Sequence, residues 1–275
     1  MMLSDKIQDP TVNHIAKVRN FGYLAADSNG AKDMGGCFSQ QWFSSLRGLR
    51  ELFFPRRCIV CGRFLTADEA DVCTACREDL PMTYQWDIVQ NAAFERLARR
   101  FDVEAAATLF FFGAESDYRK IIYGIKYGGR RELARRMGFE LGTRLAGNRD
   151  FRRCQAVIPV PLHPLRRWTR GYNQAEEIAC GLAAALGVPP EPALLHRSRY
   201  TKTQTRLHGA AKTKNVQGAF RIDPGRAEAL QAAGVRHVLL VDDVLTSGST
   251  LAACAAPLTK AGFRVACATL AFAGT

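Results

Sequence analysis

Four cysteines in a short stretch have a spacing that implies chemistry. Cys58-Ile-Val-Cys61 and Cys73-Thr-Ala-Cys76 stand eleven residues apart. Two residues between cysteines let a tight turn aim both thiolates at one ion. Two such turns supply the four sulfurs of a tetrahedral zinc site. Gly62 follows the first pair and can take the left-handed conformation such a turn often needs. A redox dithiol would sit between a strand and a helix, a context this stretch lacks. Four sulfurs fill the shell and leave no position for a catalytic water, so the expectation is a structural Zn2+ on Cys58, Cys61, Cys73 and Cys76. The other five cysteines, Cys37, Cys154, Cys180, Cys254 and Cys267, stand among apolar neighbours and are expected in the core.

The second chemical segment is Val238-Leu-Leu-Val-Asp-Asp-Val-Leu-Thr-Ser-Gly-Ser-Thr250. Its apolar run reads as a buried parallel strand ending in Asp242-Asp243. A loop of small hydroxyl residues follows, then a helix. Ligands of open α/β sheets bind at the carboxyl ends of strands. Thr246, Ser247, Gly248, Ser249 and Thr250 offer backbone N–H groups, hydroxyls and the positive end of a helix, which are the parts of a phosphate cradle. Gly248 lets the backbone approach a phosphate without a Cβ in the way. The two carboxylates suit sugar hydroxyls or a Mg2+ ion. The loop has neither the Walker ending nor the dinucleotide glycine pattern. Read without a ligand, it is a strand end, a capped helix and two solvated acids.

Three basic stretches accompany these acids. Pro159–Gln174 carries Arg166, Arg167 and Arg170, stiffened by Pro161 and Pro164, with Gly171 able to let backbone N–H groups close on an anion. The stretch from Arg197 to Lys214 holds Arg197, Arg199, Lys202, Arg206, Lys212 and Lys214, no acid and few apolar anchors, and reads as a mobile loop. Residues 119–136 carry seven cations against Glu132 alone. Each is by itself compatible with a solvated surface. The first two flank strands of one sheet, which favours convergence on one anion.

These residues need elements to position them. Residues 1–36 read as a flexible leader. Trp42, Phe43, Leu46, Leu49 and Leu52 recur at helical spacing until Pro55 stops the run. An N-terminal helix and zinc module therefore occupies 37–87, and loss of Cys58 is expected to unfold that module alone. The second domain is 88–275, with a linking helix over 88–103. Strands are expected at 105–112, 156–160, 235–241 and 264–272. Helices are expected at 118–127, 132–145, 175–186 and 250–260, the last kinked or shortened by Pro257. Strands separated by helices mean an α/β fold with a mostly parallel sheet covered on both faces.

Composition sets the outer limits. The chain has 275 residues, 47% hydrophobic and 23% charged, which excludes a disordered, collagenous or coiled-coil protein. No apolar run approaches the ~20 residues of a membrane-spanning helix, so no membrane insertion is expected. The first 35 residues carry no signal-peptide core, and the expected location is cytoplasmic. The net charge of +12 invites an anionic partner such as nucleic acid or a phosphorylated metabolite.

The order apolar run, Asp242-Asp243, two apolar residues and a Thr/Ser/Gly loop resembles the signature for phosphoribosyl pyrophosphate (PRPP) in type I phosphoribosyltransferases. Further landmarks are Phe54-Pro55 before the cysteines, Ile125-Lys126-Tyr127-Gly128, Pro159-Val-Pro-Leu-His-Pro164, Arg170-Gly-Tyr-Asn-Gln174, Thr203-Gln204, Asn215-Val216 and Ala219-Phe220. With these, residues 50–275 resemble the ComF family. This chain has Lys212 and Lys214 where relatives often carry Arg, which keeps the charge and loses the bidentate fork. The resemblance implies a zinc module fused to a type I phosphoribosyltransferase-like α/β domain. It implies PRPP with its phosphate on Thr246–Thr250, its ribose hydroxyls on Asp242 and Asp243, and its pyrophosphate with Mg2+ near Arg166, Arg170, Gly171 and Lys202. It also ties the chain to competence and DNA uptake, with a helicase-like protein as an expected partner. Two functions remain open: a phosphoribosyltransferase, or a non-catalytic single-stranded-DNA-binding or adaptor protein that keeps the PRPP site as a sensor. In the second, Tyr172, Trp168 or Tyr200 would stack bases.

Overall fold

A computed structural model describes residues 55–113, 115–197 and 218–274. All of them belong to one compact unit, Phe54–Thr275. The expected leader at 1–36, the helix at 37–54, Cys37, Tyr200 and the basic loop beyond Arg197, with Lys202, lie outside the described residues.

The ribbon comes first. Two short antiparallel bridges, Arg57 with Phe64 and Ala70 with Val72, shape it. Helix α1 (Thr74–Glu78) starts on Cys73, whose sulfur accepts the Cys76 N–H. Glu69 closes the ribbon from inside: its carboxylate accepts the Thr66 and Thr74 N–H groups at 3.0 and 2.7 Å and pairs with Arg63. The Thr66 and Thr74 N–H groups, seconded by Arg63, pull its carboxyl down to about 2.

The chain then meets the sheet. Thr83 N–H donates to the Leu109 carbonyl and Phe111 N–H to that of Pro81, at 3.0 and 2.8 Å. Residues 81–83 thereby cover the outer edge of β1 (Ala106–Phe112). The expected linking helix is shorter than 88–103. Asn91 caps α2 (Ala92–Ala98), and its side-chain amide also donates to the Ala106 carbonyl at 2.7 Å, so the helix cannot start earlier.

Next come α3 (Arg119–Tyr127), α4 (Arg131–Leu145), α5 (Arg149–Arg152), β2 (Ala156–Pro159), α6 (Pro164–Arg170) and α7 (Gln174–Leu186). A small antiparallel pair, β3 (Leu195–Arg197) with β4 (Phe220–Ile222), stands outside the main sheet. Helix α8 (Pro224–Ala232), β5 (His237–Leu245), α9 (Ser249–Lys260) and β6 (Arg264–Ala273) complete the unit. The main sheet runs β1-β6-β5-β2, all parallel.

Successive β5 residues feed opposite layers, as a strand period of two requires. Leu239 and Val241 pack with Ile121, Ile125, Leu141, Ile178 and Leu182 of α3, α4 and α7. Val238 and Leu240 pack with Leu97, Leu251 and Leu258 of α2 and α9. Each fully buried Leu or Ile stabilises the fold by about 1.5–3 kcal/mol. The first layer also holds Cys58, Val60 and Cys73, so ribbon and sheet share one apolar core.

Several expectations need correction. The strand expected to end at Asp242-Asp243 continues to Leu245, because β6 keeps pairing beside it, with Asp242 opposite Thr269 and Leu245 opposite Phe272. Helix α9 runs through Pro257, which sits in its last turn. The segment after β2, expected as a proline-stiffened loop, forms α6, with Pro164 in its first turn and Gly171 ending it at φ +74°. Cys154, Cys254 and Cys267 are core thiols, but Cys180 is exposed on α7.

Candidate functional site

Strand β2 ends at Pro159, opposite Val241. Beyond that point, among the described residues, β5 has no strand on its β2 side, and Asp242 and Asp243 stand at the gap. Alternation sends the two carboxylates to different layers. Asp243 turns to α3, where its Oδ1 lies 2.9 Å from Lys126 Nζ. Asp242 turns to the other layer, feels the positive charge of Arg197 from β3, and accepts the Asp243 N–H at 2.8 Å. Burial, reinforced by the Asp243 charge, pushes the Asp242 carboxyl up to about 7.

The phosphate loop follows. Gly248 caps α9 at φ +77°, and no side chain takes the first N–H groups of the helix. Ser247 and Ser249 bring their hydroxyls to 3.1 Å. A Cβ on Gly248 would come 2.8 Å from Leu97 Cδ2 and strain the backbone as well. The glycine is thus required by α2 packing beneath the loop, a reason the sequence reading did not contain. Arg96 on the same helix donates to the carbonyls of Thr246 and Ala273, at 2.8 and 2.7 Å, with its guanidinium 4.1 Å over the Phe272 ring. This residue ties the loop to the end of β6. Sequence reasoning left it in a linker, since nothing local marks a cation whose partners lie 150 and 177 residues away.

Among the described residues the basic group at the gap is differently composed than expected. Arg166, Arg197 and His163 are electrostatic neighbours: burial and the Arg197 and Arg166 charges lower the His163 imidazole, favouring its neutral form. Arg170 lies over the Tyr127 ring at 5.1 Å and donates to Gln174. Arg167 turns away and pairs with Glu176 at 3.3 Å. Gly171 does not open an anion nest. Its N–H closes α6 on the Arg167 carbonyl, and its own carbonyl accepts from Arg131. Lys126, absent from the expected site, belongs to it. Its signals were its place in the Ile125-Lys126-Tyr127-Gly128 landmark and in the basic stretch 119–136.

The Arg-Gly-Tyr-Asn-Gln run is largely a staple. Tyr172 is buried and its hydroxyl donates to the Ile125 carbonyl, so it is not a stacking platform. Asn173 caps α7 and donates to the Val160 carbonyl at 3.1 Å. Trp168 is 84% exposed. Tyr123 and Tyr127 are also exposed, and their rings stack at 6.2 Å.

In the ribbon the four cysteine sulfurs lie within 4.8 Å of one another. Cys61 and Cys73 are 3.8 Å apart, close to the edge of a tetrahedron built on a Zn–S bond of about 2.3 Å. Burial raises the Cys73 thiol, but the Cys76 N–H and Arg63 overcome this and bring it down to about 6. The residues present fit zinc in both geometry and donor chemistry. No helix among the described residues is long and apolar enough to cross a membrane.

Fold and site together define an α/β protein with a parallel four-stranded sheet, a four-cysteine zinc ribbon and an acid pair followed by a hydroxyl-rich loop. The Double zinc ribbon domain family matches residues 49–86. Competence protein F of Haemophilus influenzae is 39% identical over 97 residues, covering 35% of this chain and 41% of that protein. DNA utilization protein YhgH of Escherichia coli O157:H7 is 28% identical over 213 residues, covering 74% of this chain and 85% of that protein. That of Salmonella typhi is 36% identical over 106 residues, 38% of this chain and 44% of that protein. The chain thus spans less than half the length of two of these three relatives. A solved structure of glutamine PRPP amidotransferase from B. subtilis, complexed with ADP and GMP, is similar at a TM-score of 0.34 and 20% identity, over 54% of this chain and 30% of that one. Over these stretches the chain is similar to competence protein F and to the DNA utilization proteins YhgH.

Proposed function

We propose that the chain binds PRPP at the carboxyl end of β5 and uses it in handling incoming DNA. One observation carries this reading: an uncapped helix N-terminus, two paired serine hydroxyls and an acid pair stand together beside a gap in the sheet, with Lys126 and Arg166 on its flanks. The 5′-phosphate takes the N–H groups and hydroxyls of Thr246–Thr250. The ribose hydroxyls meet the acid pair. The diphosphate end meets Arg166 and Arg170. Asp242 and Asp243 are the residues that would hold Mg2+, which would supply charge neutralisation to a bound diphosphate. As an acceptor nucleophile forms its bond to the anomeric carbon and the bond to the diphosphate oxygen breaks, the departing diphosphate gains negative charge, which Arg166 and Arg170 stabilise. The test is calorimetry with PRPP and Mg2+ on the parent and on Thr250→Val. Loss of a hydroxyl donor to a charged phosphate is expected to cost about 1.5–3 kcal/mol, ten- to a hundred-fold in affinity. Equal binding by the variant removes the phosphate assignment.

A second reading is a non-catalytic protein that binds single-stranded DNA and senses PRPP. The exposed Trp168 and the stacked Tyr123–Tyr127 pair favour it, since such rings are platforms for bases. Turnover by the wild type in the presence of PRPP and DNA separates the two readings. A helicase-like competence partner belongs to either.

A further inference from the structure

The ribbon meets the rest of the unit chiefly at α3 and the turn after it. Ile59 lies between two of the cysteines, and a Cβ on Gly124 of α3 would collide with its Cδ1. The Val60 carbonyl accepts from Lys120 Nζ at 2.8 Å. Asp71 pairs with Arg130 at 2.7 Å, in the α3–α4 turn, and with Arg136 on α4. The Asp71 carbonyl accepts the Ile59 N–H at 2.7 Å, which makes the arginine clamp and the first cysteine turn one piece.

Helix α3 depends on such outside support. It has nine residues, no side-chain cap at Tyr118, and Gly128-Gly129 at its end. A helix this short does not hold its own position or even its own conformation in water. Lys126 lies two residues past Gly124. Its ammonium rides on a flexible stem, so its reach to Asp243 depends on where the helix sits. The opposite side of the helix end is held by Tyr172 on the Ile125 carbonyl and by Gln174 on that of Lys126.

We infer that the ribbon is the positioning device of the strand-end site. By clamping α3 through Ile59, Val60 and Asp71 it fixes Lys126 against Asp243, and Asp71 is a positioning residue for the ligand that binds there. The ligand readout rests on the PRPP reading; the positioning itself does not.

The experiment uses the zinc-loaded full chain and Asp71→Asn. Asn tolerates the left-handed backbone of position 71, φ +56°, and removes only the charge. Zinc content and far-UV circular dichroism are expected to stay at the parent values. Lysine acetylation followed by mass spectrometry, without ligand, is expected to label Lys126 several-fold faster relative to exposed Lys260. Affinity for PRPP with Mg2+ is expected to fall about 3- to 10-fold, and Asp71→Asn is expected to add nothing on top of Lys126→Met, as coupled residues behave. Gly124→Ala is the second variant. It is expected to speed Lys126 labelling, and Ile59→Ala in the same chain to restore the parent rate. Unchanged Lys126 labelling in both Asp71→Asn and Gly124→Ala overturns the inference, as does full additivity with Lys126→Met. If the parent fails to bind PRPP, the proposed function falls while the labelling still decides the positioning.

Discussion

Lys120, Arg130, Arg135 and Arg136 of the α3–α4 stretch each meet a carboxylate inside the unit: Asp117, Asp71, Glu177 and Asp71 again. Arg166 and Arg170 at the sheet end pair with no carboxylate among the described residues. In the sequence the first region has the greater density of charge and looks like the better anion surface. Folding reverses that order, because the acids that meet its arginines arrive from the ribbon and from α7, 42 to 65 residues away. Local charge counts describe a segment's appetite for partners and leave open whether the fold has already supplied them. Exposed pairs add little stability singly, about 0–1 kcal/mol. Their larger effect is to remove cations from the list available to a ligand.

The strongest way to break this contrast is to unmake the four-cysteine site beside Asp71. Structural zinc is worth on the order of 10 kcal/mol in small ribbons. Cys58 and Cys73 share a core with Ile121 and Ile125. Cys58→Ser is therefore expected to lower the unfolding temperature of the whole unit in one transition, as read by scanning calorimetry. A separate ribbon transition, with the main one unmoved, would show that the shared core does not couple them. The second test sets the two basic regions side by side. Arg166→Ala with Arg170→Ala is expected to weaken PRPP binding at least ten- to a hundred-fold, from about 1.5–3 kcal/mol per charged contact. Arg135→Ala, which loses Glu177 and Glu132 as partners, is expected to leave affinity within about twofold. The reverse ranking would mean that the paired cations are the ligand's.

A pH titration sharpens the sheet-end half. Asp242 is useful to hydroxyls or Mg2+ as a carboxylate, and its value is raised to about 7. Affinity for PRPP with Mg2+ is expected to climb about tenfold from pH 6 to pH 8 and then level off, and Asp242→Asn to abolish the climb. The sign for stability is opposite. The folded state holds this proton more tightly than the unfolded one, so the contribution is present below the unfolded value near 3.8 and is lost as pH rises toward 7. The smallest effect concerns DNA. Each neutralised phosphate on a single strand contributes a slope of about −0.7 in log affinity against log salt. Replacing both Arg130 and Arg136 by Ala is expected to change that slope by less than one contact. A change of two contacts would return the α3–α4 stretch to the binding surface.

Much of the frame was legible because it rests on local patterns. The Cys-x-x-Cys pairs, the apolar strands and the glycine after α7 each announce themselves within a few residues. The acid pair and its loop were legible for the same reason. Arg96, Lys126 and Asp71 were not, since each acts on residues distant in sequence. Of the two readings of Tyr172, core packing and base platform, the first holds: its hydroxyl has a partner because α3 crosses there. For Gly248 the sequence offered one reason, room for a phosphate above it, and the packing adds another, Leu97 below it.

Helices α4 and α7 cross at backbone contact. A Cβ on Gly138 would collide with the Ile178 carbonyl, and one on Gly181 with that of Arg135. Neither obstacle is a side chain that can swing aside. In a mutational scan of this protein these two positions should tolerate nothing, including alanine, while exposed neighbours such as Thr143 accept many residues. A homologue with larger residues at both would need its two helices set farther apart, with Arg135 and Glu177 no longer within reach of each other. The pair thus serves as a ruler for judging, from sequence alone, which relatives keep this spacing between the two helices.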